Sequence, residues 1–135
     1  MTGINDLSEL LASMEPTKLQ EGLVFCTLEW ENLPTEPIDP LMLFKEKEGF
    51  TVIISEAKAR SLDLNYDEVW SWIELSVHSS LSAVGFIAAV SKILAENNIS
   101  VNVVSAFHHD HLFVKQSDDK RAMKLLQELS QSYRS

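Results

Sequence analysis

Residues 70–78 read WSWIELSVH, and residues 79–98 continue as SSLSAVGFIAAVSKILAENN. In the first stretch, apolar residues at every second position predict a strand with one apolar face. In the second stretch, the serines are candidate N-caps, and the apolar residues after them predict a helix that is buried over most of its surface. We expect this helix to end at Asn97-Asn98, because asparagine readily adopts the left-handed conformation that stops a helix.

Two more strands and a helix follow this pair. Ile99 to Phe107 predicts a second strand, His108-His109-Asp110 a tight turn, and His111 to Lys115 a third strand. A final helix is expected from Ser117-Asp118-Asp119, where acidic side chains suit the positive end of a helix dipole. The order predicts an α+β, ferredoxin-like fold, in which both helices cover one face of the sheet. Such a fold normally has one more strand, which the first half of the chain could supply.

The first half of the chain predicts shorter elements. A helix with Asp6 as its N-cap should end before Pro16. Its apolar residues recur at helical spacing: Ile4, Leu7, Leu10, Leu11 and Met14. An alternating pattern from Glu21 to Trp30 then predicts a strand with Cys26 on its apolar face.

A prediction of a hairpin and a short helix completes this half. Leu41 to Glu46 and Phe50 to Ser55 flank a glycine and predict two antiparallel strands. Ser55 is then a candidate cap for a helix through Arg60. The polar stretch from Ser61 to Asp67 is followed by a clear change of pattern, so we place a domain boundary there.

The composition excludes several classes of protein. The 135 residues carry a formal net charge of −9, and the basic side chains are scattered, so neither nucleic acid nor a membrane is an expected partner. The N-terminus lacks the basic region of a signal peptide, and the apolar stretch Leu81 to Ala95 is too short and interrupted to span a bilayer. Because Cys26 is the single cysteine, a reducing compartment fits, and we expect a soluble, cytoplasmic protein.

The turn from Val77 to Gly85 is the most informative local feature. Free N–H groups at a helix start, with the helix dipole behind them, suit a carboxylate or another small anion. Gly85 would let a ligand or a neighbouring backbone come close. The alternative is purely structural: the serines cap the helix and Gly85 packs against a strand.

The histidines and tryptophans admit other interpretations. His108, His109 and His111 could contribute to a metal site, but their spacing matches no established metal motif and indicates polar residues of a hairpin turn. In that turn, Asp110 is expected to bond to the nearby backbone. Trp70 and Trp72 share the outward face of their strand and suggest burial against another sheet, another subunit or the first half of the chain.

Residues 72–114, WIELSVHSSLSAVGFIAAVSKILAENNISVNVVSAFHHDHLFV, resemble the ACT domain. They are especially similar to a small family of uncharacterised ACT-containing proteins that share the strings VHSSLxAVG, NVV and HDHLFV. A looser similarity extends upstream to EGLVFCTL at residues 21–28 and KEKEGFTVII at residues 45–54. The resemblance implies a degenerate ACT-like unit over residues 1–65, followed by a βαββα(β) ACT-type unit over residues 66–135.

The resemblance also implies a function. ACT units commonly pair side by side, and in ligand-binding members an amino acid lies between them. Carried onto this chain, the ligand-binding residues are Ser79, Ser80, Leu81, Val84 and Gly85, with Asn102, Val103 and Val104 across the interface. The expectation is a stand-alone regulatory protein without catalytic activity, metal or cofactor, acting as a homodimer or in association with a regulated enzyme.

Two alternatives from other classes remain open at this point. The first is a ligand-free protein-interaction module of the same fold, which would use Trp70 and Trp72. The second is a small metal-dependent enzyme that uses the cluster His108–His111.

Overall fold

The structure is a computed structural model that describes residue 3 and residues 6–134. Ile4, which the sequence places in the N-terminal helix, lies outside the described residues. The chain folds into two compact units: unit 1 comprises Met1–Gln20 and Ser71–Ser135, and unit 2 comprises Glu21–Trp70.

In the described part of the chain, four helices and six strands make up the two units. In chain order they are α1 (Leu7–Ser13), β1 (Pro16–Glu29), β2 (Met42–Lys45), β3 (Gly49–Ser55), α2 (Glu56–Ser61), β4 (Trp70–Leu75), α3 (Phe86–Glu96), β5 (Val101–Ser105), β6 (Asp110–Lys115) and α4 (Asp119–Ser132). Short 3₁₀ turns follow β1 and β6.

In unit 1 the neighbouring strands are β1, β4, β6 and β5, in that order. Strands β5 and β6 form an antiparallel hairpin in which Val103 faces Leu112 and Ser105 faces Asp110. The start of β1 lies beside β4, and the Ser76 amide donates to the Glu15 carbonyl over 3.1 Å. This confirms that the first half of the chain supplies the missing strand of the ferredoxin-like unit.

Helices α1, α3 and α4 share one apolar core with this sheet. The core includes Leu10, Leu11, Met14, Ile73, Leu75, Phe86, Val90, Leu94, Leu112, Val114, Ala122 and Leu126. Burial of this apolar surface is the main force that holds the layers together. Asp6 caps α1 as expected, because its side chain accepts the Glu9 amide over 2.9 Å.

A buried polar contact fixes the start of α4. The carboxylate of Asp119 accepts hydrogen bonds from the Ser71 hydroxyl at 2.8 Å and the Lys18 ammonium at 3.2 Å. Burial alone would raise the pKa of Asp119, but these two hydrogen bonds, the charge of Lys18 and a hydrogen bond from the Lys120 amide together lower it. The polar residue at the apolar face of β4, Ser71, therefore has a defined partner.

In unit 2 the neighbouring strands are β2, β3 and β1, joined by antiparallel pairing. Its core includes Val24, Cys26, Leu28, Val52, Ile54 and Ala59. Cys26 is buried as expected, and burial raises the pKa of its thiol. A methyl group at Gly49 would lie 2.1 Å from the carbonyl oxygen of Leu28, so this hairpin position requires glycine.

The strand expected from Glu21 begins at Pro16, which is allowed because proline is tolerated as the first residue of a strand. The predicted division of the chain into two ACT-like repeats, residues 1–65 and 66–135, stays a prediction.

Within residues 3 and 6–134, no helix is long and apolar enough to cross a membrane.

Candidate functional site at the turn before helix α3

The turn between β4 and α3 takes a different path from the one expected. We predicted a helix that begins among the serines at residues 79–82, but α3 begins at Phe86 and the prediction is wrong. Gly85 is the N-cap, with a φ angle of +93°, and no side chain within residues 3 and 6–134 caps the helix. A positive φ angle favours glycine, because side chains with a Cβ rarely adopt it.

The serines have other partners. The Ser79 hydroxyl donates to Oδ2 of Asp110 over 2.7 Å, and both residues are buried. The Ser80 hydroxyl accepts the Ser82 amide over 3.1 Å, which closes a local turn. The serines therefore shape the loop instead of capping the helix.

Asp110 also lies elsewhere than expected. We placed it in the hairpin turn with side-chain bonds to the nearby backbone, but it is the first residue of β6 and only 4% exposed. The turn itself is closed by the Ala106 amide, which donates to the His109 carbonyl over 3.0 Å. In this position Asp110 brings a buried carboxylate to the loop that carries Ser79.

A small pocket of about 140 Å³ lies at this loop. Its lining comes from the loop, the first turn of α3 and the β5–β6 hairpin: Ser79, Ser80, Leu81, Ala83, Gly85, Phe86, Ile87, Ala88, Ser105 and Asp110. Four of the residues expected to bind a ligand, Ser79, Ser80, Leu81 and Gly85, are thus brought together.

The other four expected residues do not line this pocket. Val84 is 83% exposed. On β5, Val103 packs against the core of unit 1, whereas Asn102 is exposed. The resemblance placed Asn102, Val103 and Val104 across an interface with another unit, and their role stays a prediction.

The sequence-based interpretation missed Asp110, Ser105 and the first turn of α3 as pocket residues. The expected turn gave no signal for the first two, because it places Asp110 in the turn and leaves it unpaired, whereas Asp110 faces Ser105 in the observed hairpin. No local signal indicated that the start of this hairpin packs against the loop before α3. That contact joins segments far apart in sequence.

The two sides of the pocket carry opposite electrostatic character. The Ala89 amide donates to the Gly85 carbonyl over 2.9 Å, so the amides of Phe86, Ile87 and Ala88 precede the first helical hydrogen bond. These amides and the helix dipole favour a negative group. Asp110, on the other side, favours a positive one.

The histidines lie close to this loop and contact other side chains. Among the described residues, no group of three or more His, Cys, Asp or Glu side chains could hold a metal ion. Instead, Nδ1 of His109 lies 3.4 Å from a carboxylate oxygen of Glu74. The ring of His78 contacts those of Phe107 and His108, with centroids 6.3 and 5.6 Å apart.

Both tryptophans of β4 have partners within the chain. Trp70 packs edge-to-face on Phe25, with ring centroids 5.7 Å apart, and Phe25 belongs to the first half of the chain. The indole N–H of Trp72 donates to Nδ1 of His111 over 2.9 Å. Burial, together with the charge of His109, lowers the pKa of His111, although Glu74 and Asp110 oppose the shift.

A second, larger pocket of about 370 Å³ lies between the ends of α1 and α4. Its polar groups include Glu15 and Arg134. Arg134 already donates from Nε to the Ala12 carbonyl over 2.9 Å. None of the residues expected to bind a ligand lines it.

Comparisons with known proteins give the same family for both halves of the chain. Models of the ACT domain match residues 2–71 and residues 70–128. No curated protein matches the chain.

Several solved structures are similar. A Vibrio cholerae protein, described as being of unknown function and a possible transport protein, is 35% identical, with a TM-score of 0.79 over 92% of this chain and 95% of that one. The regulatory subunit of aspartate kinase from Thermus flavus is 5% identical, with a TM-score of 0.59 over 96% of this chain and 99% of that one. Aspartokinase alpha and beta subunits match at 12% identity and a TM-score of 0.58, over 85% of this chain and 96% of that one. The last two similarities show a shared fold.

Proposed function

Because this chain belongs to the ACT-domain family, we propose that it is a regulatory protein without catalytic activity that binds a free amino acid at the loop before α3. The observation that carries the proposal is the position of Asp110. Its buried carboxylate lines the same small pocket as the first turn of α3, which no described side chain caps.

This arrangement matches the charges of a zwitterion. The α-carboxylate of an amino acid would accept hydrogen bonds from amides of Phe86, Ile87 or Ala88, where the helix dipole favours it. Its ammonium group would then donate to Asp110. The Ser79 hydroxyl holds Asp110 in place, so the carboxylate is oriented before a ligand arrives. Hydrogen bonds to charged partners are stronger than neutral ones, and this supports recognition of both ends of the ligand.

The size of the pocket supports a site that another surface completes. Its volume of about 140 Å³ is below the roughly 300–1,000 Å³ of pockets that enclose drug-sized ligands. Three exposed apolar side chains belong to the pocket lining or are close to it in sequence. Leu81, Val84 and Phe107 are 67%, 83% and 62% exposed. We therefore propose that a second copy or a regulated enzyme covers these three side chains. Asn102, Val103 and Val104 of another unit would then contribute to the ligand site from across the interface.

Calorimetry and thermal shift with the common amino acids at millimolar concentration test the proposal. At least one amino acid should bind and raise the melting temperature, because a ligand stabilises the state that holds it. Asp110→Asn keeps an acceptor for Ser79 but removes the charge. We expect it to weaken binding about tenfold or more, the effect of losing one charged hydrogen bond.

The matched control is Asp67→Asn, which removes a charge at an exposed position of unit 2. It should leave binding unchanged. If no common amino acid binds the wild-type protein, the proposed ligand class is wrong. If Asp110→Asn binds as well as the wild type, the proposed role of Asp110 is wrong.

A second candidate is the ligand-free interaction module, and one observation favours it. Leu43 and Phe44 on strand β2 are 48% and 64% exposed, and β2 is the outermost strand of unit 2 in its strand order. Exposed apolar residues on an edge strand suit pairing with another chain. Loss of a co-purifying protein partner in Phe44→Ser, without any amino-acid binding by the wild type, would favour this candidate. The cytoplasmic location stays a prediction.

A further inference from the structure

The N-terminal segment, defined as Gly3 together with helix α1, lies against the candidate ligand loop. A methyl group added at Gly3 would lie 2.5 Å from the amide nitrogen of Ser80 and 2.6 Å from the carbonyl carbon of Ser79. Both distances are shorter than a Cβ can tolerate. The two backbones therefore touch, and any side chain at residue 3 would have to displace the loop.

A second contact joins the same two segments further along. A Cβ added at Gly85 would lie 3.3 Å from Cδ2 of Leu7, a side chain of α1. The N-terminal segment thus meets the loop at Ser79 and Ser80 and again at Gly85. These residues line the pocket described above.

Helix α1 is itself firmly placed. Asp6 caps its first turn, and Leu10, Leu11 and Met14 are fully buried in the core of unit 1. Beyond its end, the Ser130 hydroxyl of α4 donates to the Met14 carbonyl over 2.9 Å. The position of Leu7 is therefore set by the core, and the loop rests on a fixed support.

We propose that the N-terminal segment is a positioning element of the ligand site. Ser79 is tied to Asp110 on one side of the loop, while Gly3 and Leu7 support it from another. Together they hold Gly85 in its left-handed conformation and keep the first amides of α3 facing the pocket. The part of the inference that concerns a ligand rests on the proposed function.

This placement has a regulatory consequence. If docking of the N-terminal segment strengthens ligand binding, the ligand must strengthen docking by the same factor, because coupling between two equilibria is reciprocal. A partner that draws the segment away from the loop would then release the ligand. Docking of the segment and ligand affinity would therefore rise and fall together.

Amide hydrogen exchange of the full-length protein tests the inference without a ligand. Gly3→Ala adds a methyl group where the backbones touch, and Leu7→Ala removes the contact with Gly85. Both variants should speed exchange of residues 80–88 by about threefold or more, since exchange reports local opening. Exchange of strand β3 in unit 2 is the internal reference and should not change.

Two control variants are matched to these substitutions. Ser8→Ala changes an exposed residue of α1, and Leu33→Ala removes a leucine that is 43% exposed in unit 2, compared with 37% for Leu7. Both should leave exchange of residues 80–88 as in the wild type. Unchanged exchange in both Gly3→Ala and Leu7→Ala would overturn the inference.

A binding measurement separates this inference from the proposed function. With whichever amino acid binds the wild type, Gly3→Ala should weaken binding about three- to tenfold by calorimetry, while Ser8→Ala should not. A failure of the wild type to bind any amino acid contradicts the proposed function, and the exchange result then decides the positioning role by itself. Normal affinity in both Gly3→Ala and Leu7→Ala would overturn the coupling to the ligand.

Discussion

The two units begin their helices after a strand in different ways. In unit 2, α2 follows β3 directly, and the hydroxyl of Ser55 accepts the Lys58 amide over 3.1 Å. In unit 1, α3 follows β4 after a ten-residue loop from residue 76 to residue 85, and its N-cap is Gly85, which has no side chain to offer. The start of α2 therefore has a side-chain cap, and the start of α3 has none among the residues that the structure describes.

This difference supports the proposal that a ligand binds at the start of α3 and not at the start of α2. A side-chain cap and a bound anion use the same backbone amides, so a capped helix start is a poor binding site. At α3, Ser79 is bonded to Asp110 and Ser80 to the Ser82 amide, so neither serine occupies the first turn. A sequence rich in serine before a helix is therefore not evidence of a capped helix.

The largest effect on this comparison is expected from Gly85→Ala. It places a Cβ on a residue with a φ angle of +93°, with Leu7 Cδ2 3.3 Å away. We expect the free energy of unfolding to fall by about 2 kcal/mol, because residues other than glycine are strained in this region. Urea denaturation measures the change.

Gly22→Ala in unit 2 is the control for backbone strain alone. Gly22 has a φ angle of +73°, but a Cβ there would meet no atom within 4 Å. We expect a loss of about 1 kcal/mol from the strained backbone. Equal losses for the two variants would show that the contact with Leu7 adds nothing.

A smaller effect is expected from removing the cap of α2. Ser55→Ala should lower the free energy of unfolding by about 1 kcal/mol, because a capping side chain is lost. Ser80→Ala, at the open helix start, should cost less than about 0.5 kcal/mol, since this exposed hydrogen bond only closes a local turn. A greater loss for Ser80→Ala than for Ser55→Ala would contradict the distinction between the two helix starts.

Local sequence signals predicted the elements whose partners are close in the chain. The caps at Asp6 and Ser55 and the left-handed Asn98 after α3 were expected from residue types alone, and the structure confirms them. The alternation of Ile73 and Leu75 likewise identified the buried face of β4. These features depend on interactions between residues that are close in sequence, and sequence patterns predict such features well.

The features that the sequence did not predict depend on contacts between segments that are far apart in the chain. The start of α3 was misplaced because Ser79 is bonded to a carboxylate 31 residues away, which no pattern near the serine indicates. The contact of Gly3 with the loop was invisible for the same reason. The candidate site is built from such contacts, so its loop was identified from the sequence while Asp110 was missed.

The smallest expected difference between the two units is in the effect of acid on their stability. All four histidines lie in unit 1, and the pKa of His111 is lowered by burial and by His109, against the opposing charges of Glu74 and Asp110. A histidine whose pKa is lowered on folding stabilises the protein at pH values above the ordinary histidine pKa of 6.5. This stability is lost as the pH falls below 6.5 and through the lower pKa of the histidine in the folded protein. Protonation must also break the hydrogen bond that Nδ1 accepts from Trp72.

We therefore expect the free energy of unfolding to decline from pH 7.5 to pH 5, measured by urea denaturation at each pH. His111→Gln keeps a hydrogen-bond acceptor for Trp72 but cannot be protonated in this range, so its stability should decline less. Asp119 does not account for the difference, because its pKa is lowered from an ordinary value of 3.8 and its stabilising effect is lost at more acidic pH. Identical pH profiles for the wild type and His111→Gln would show that His111 does not contribute to the acid sensitivity. This residue would then not make unit 1 more sensitive to acid than unit 2.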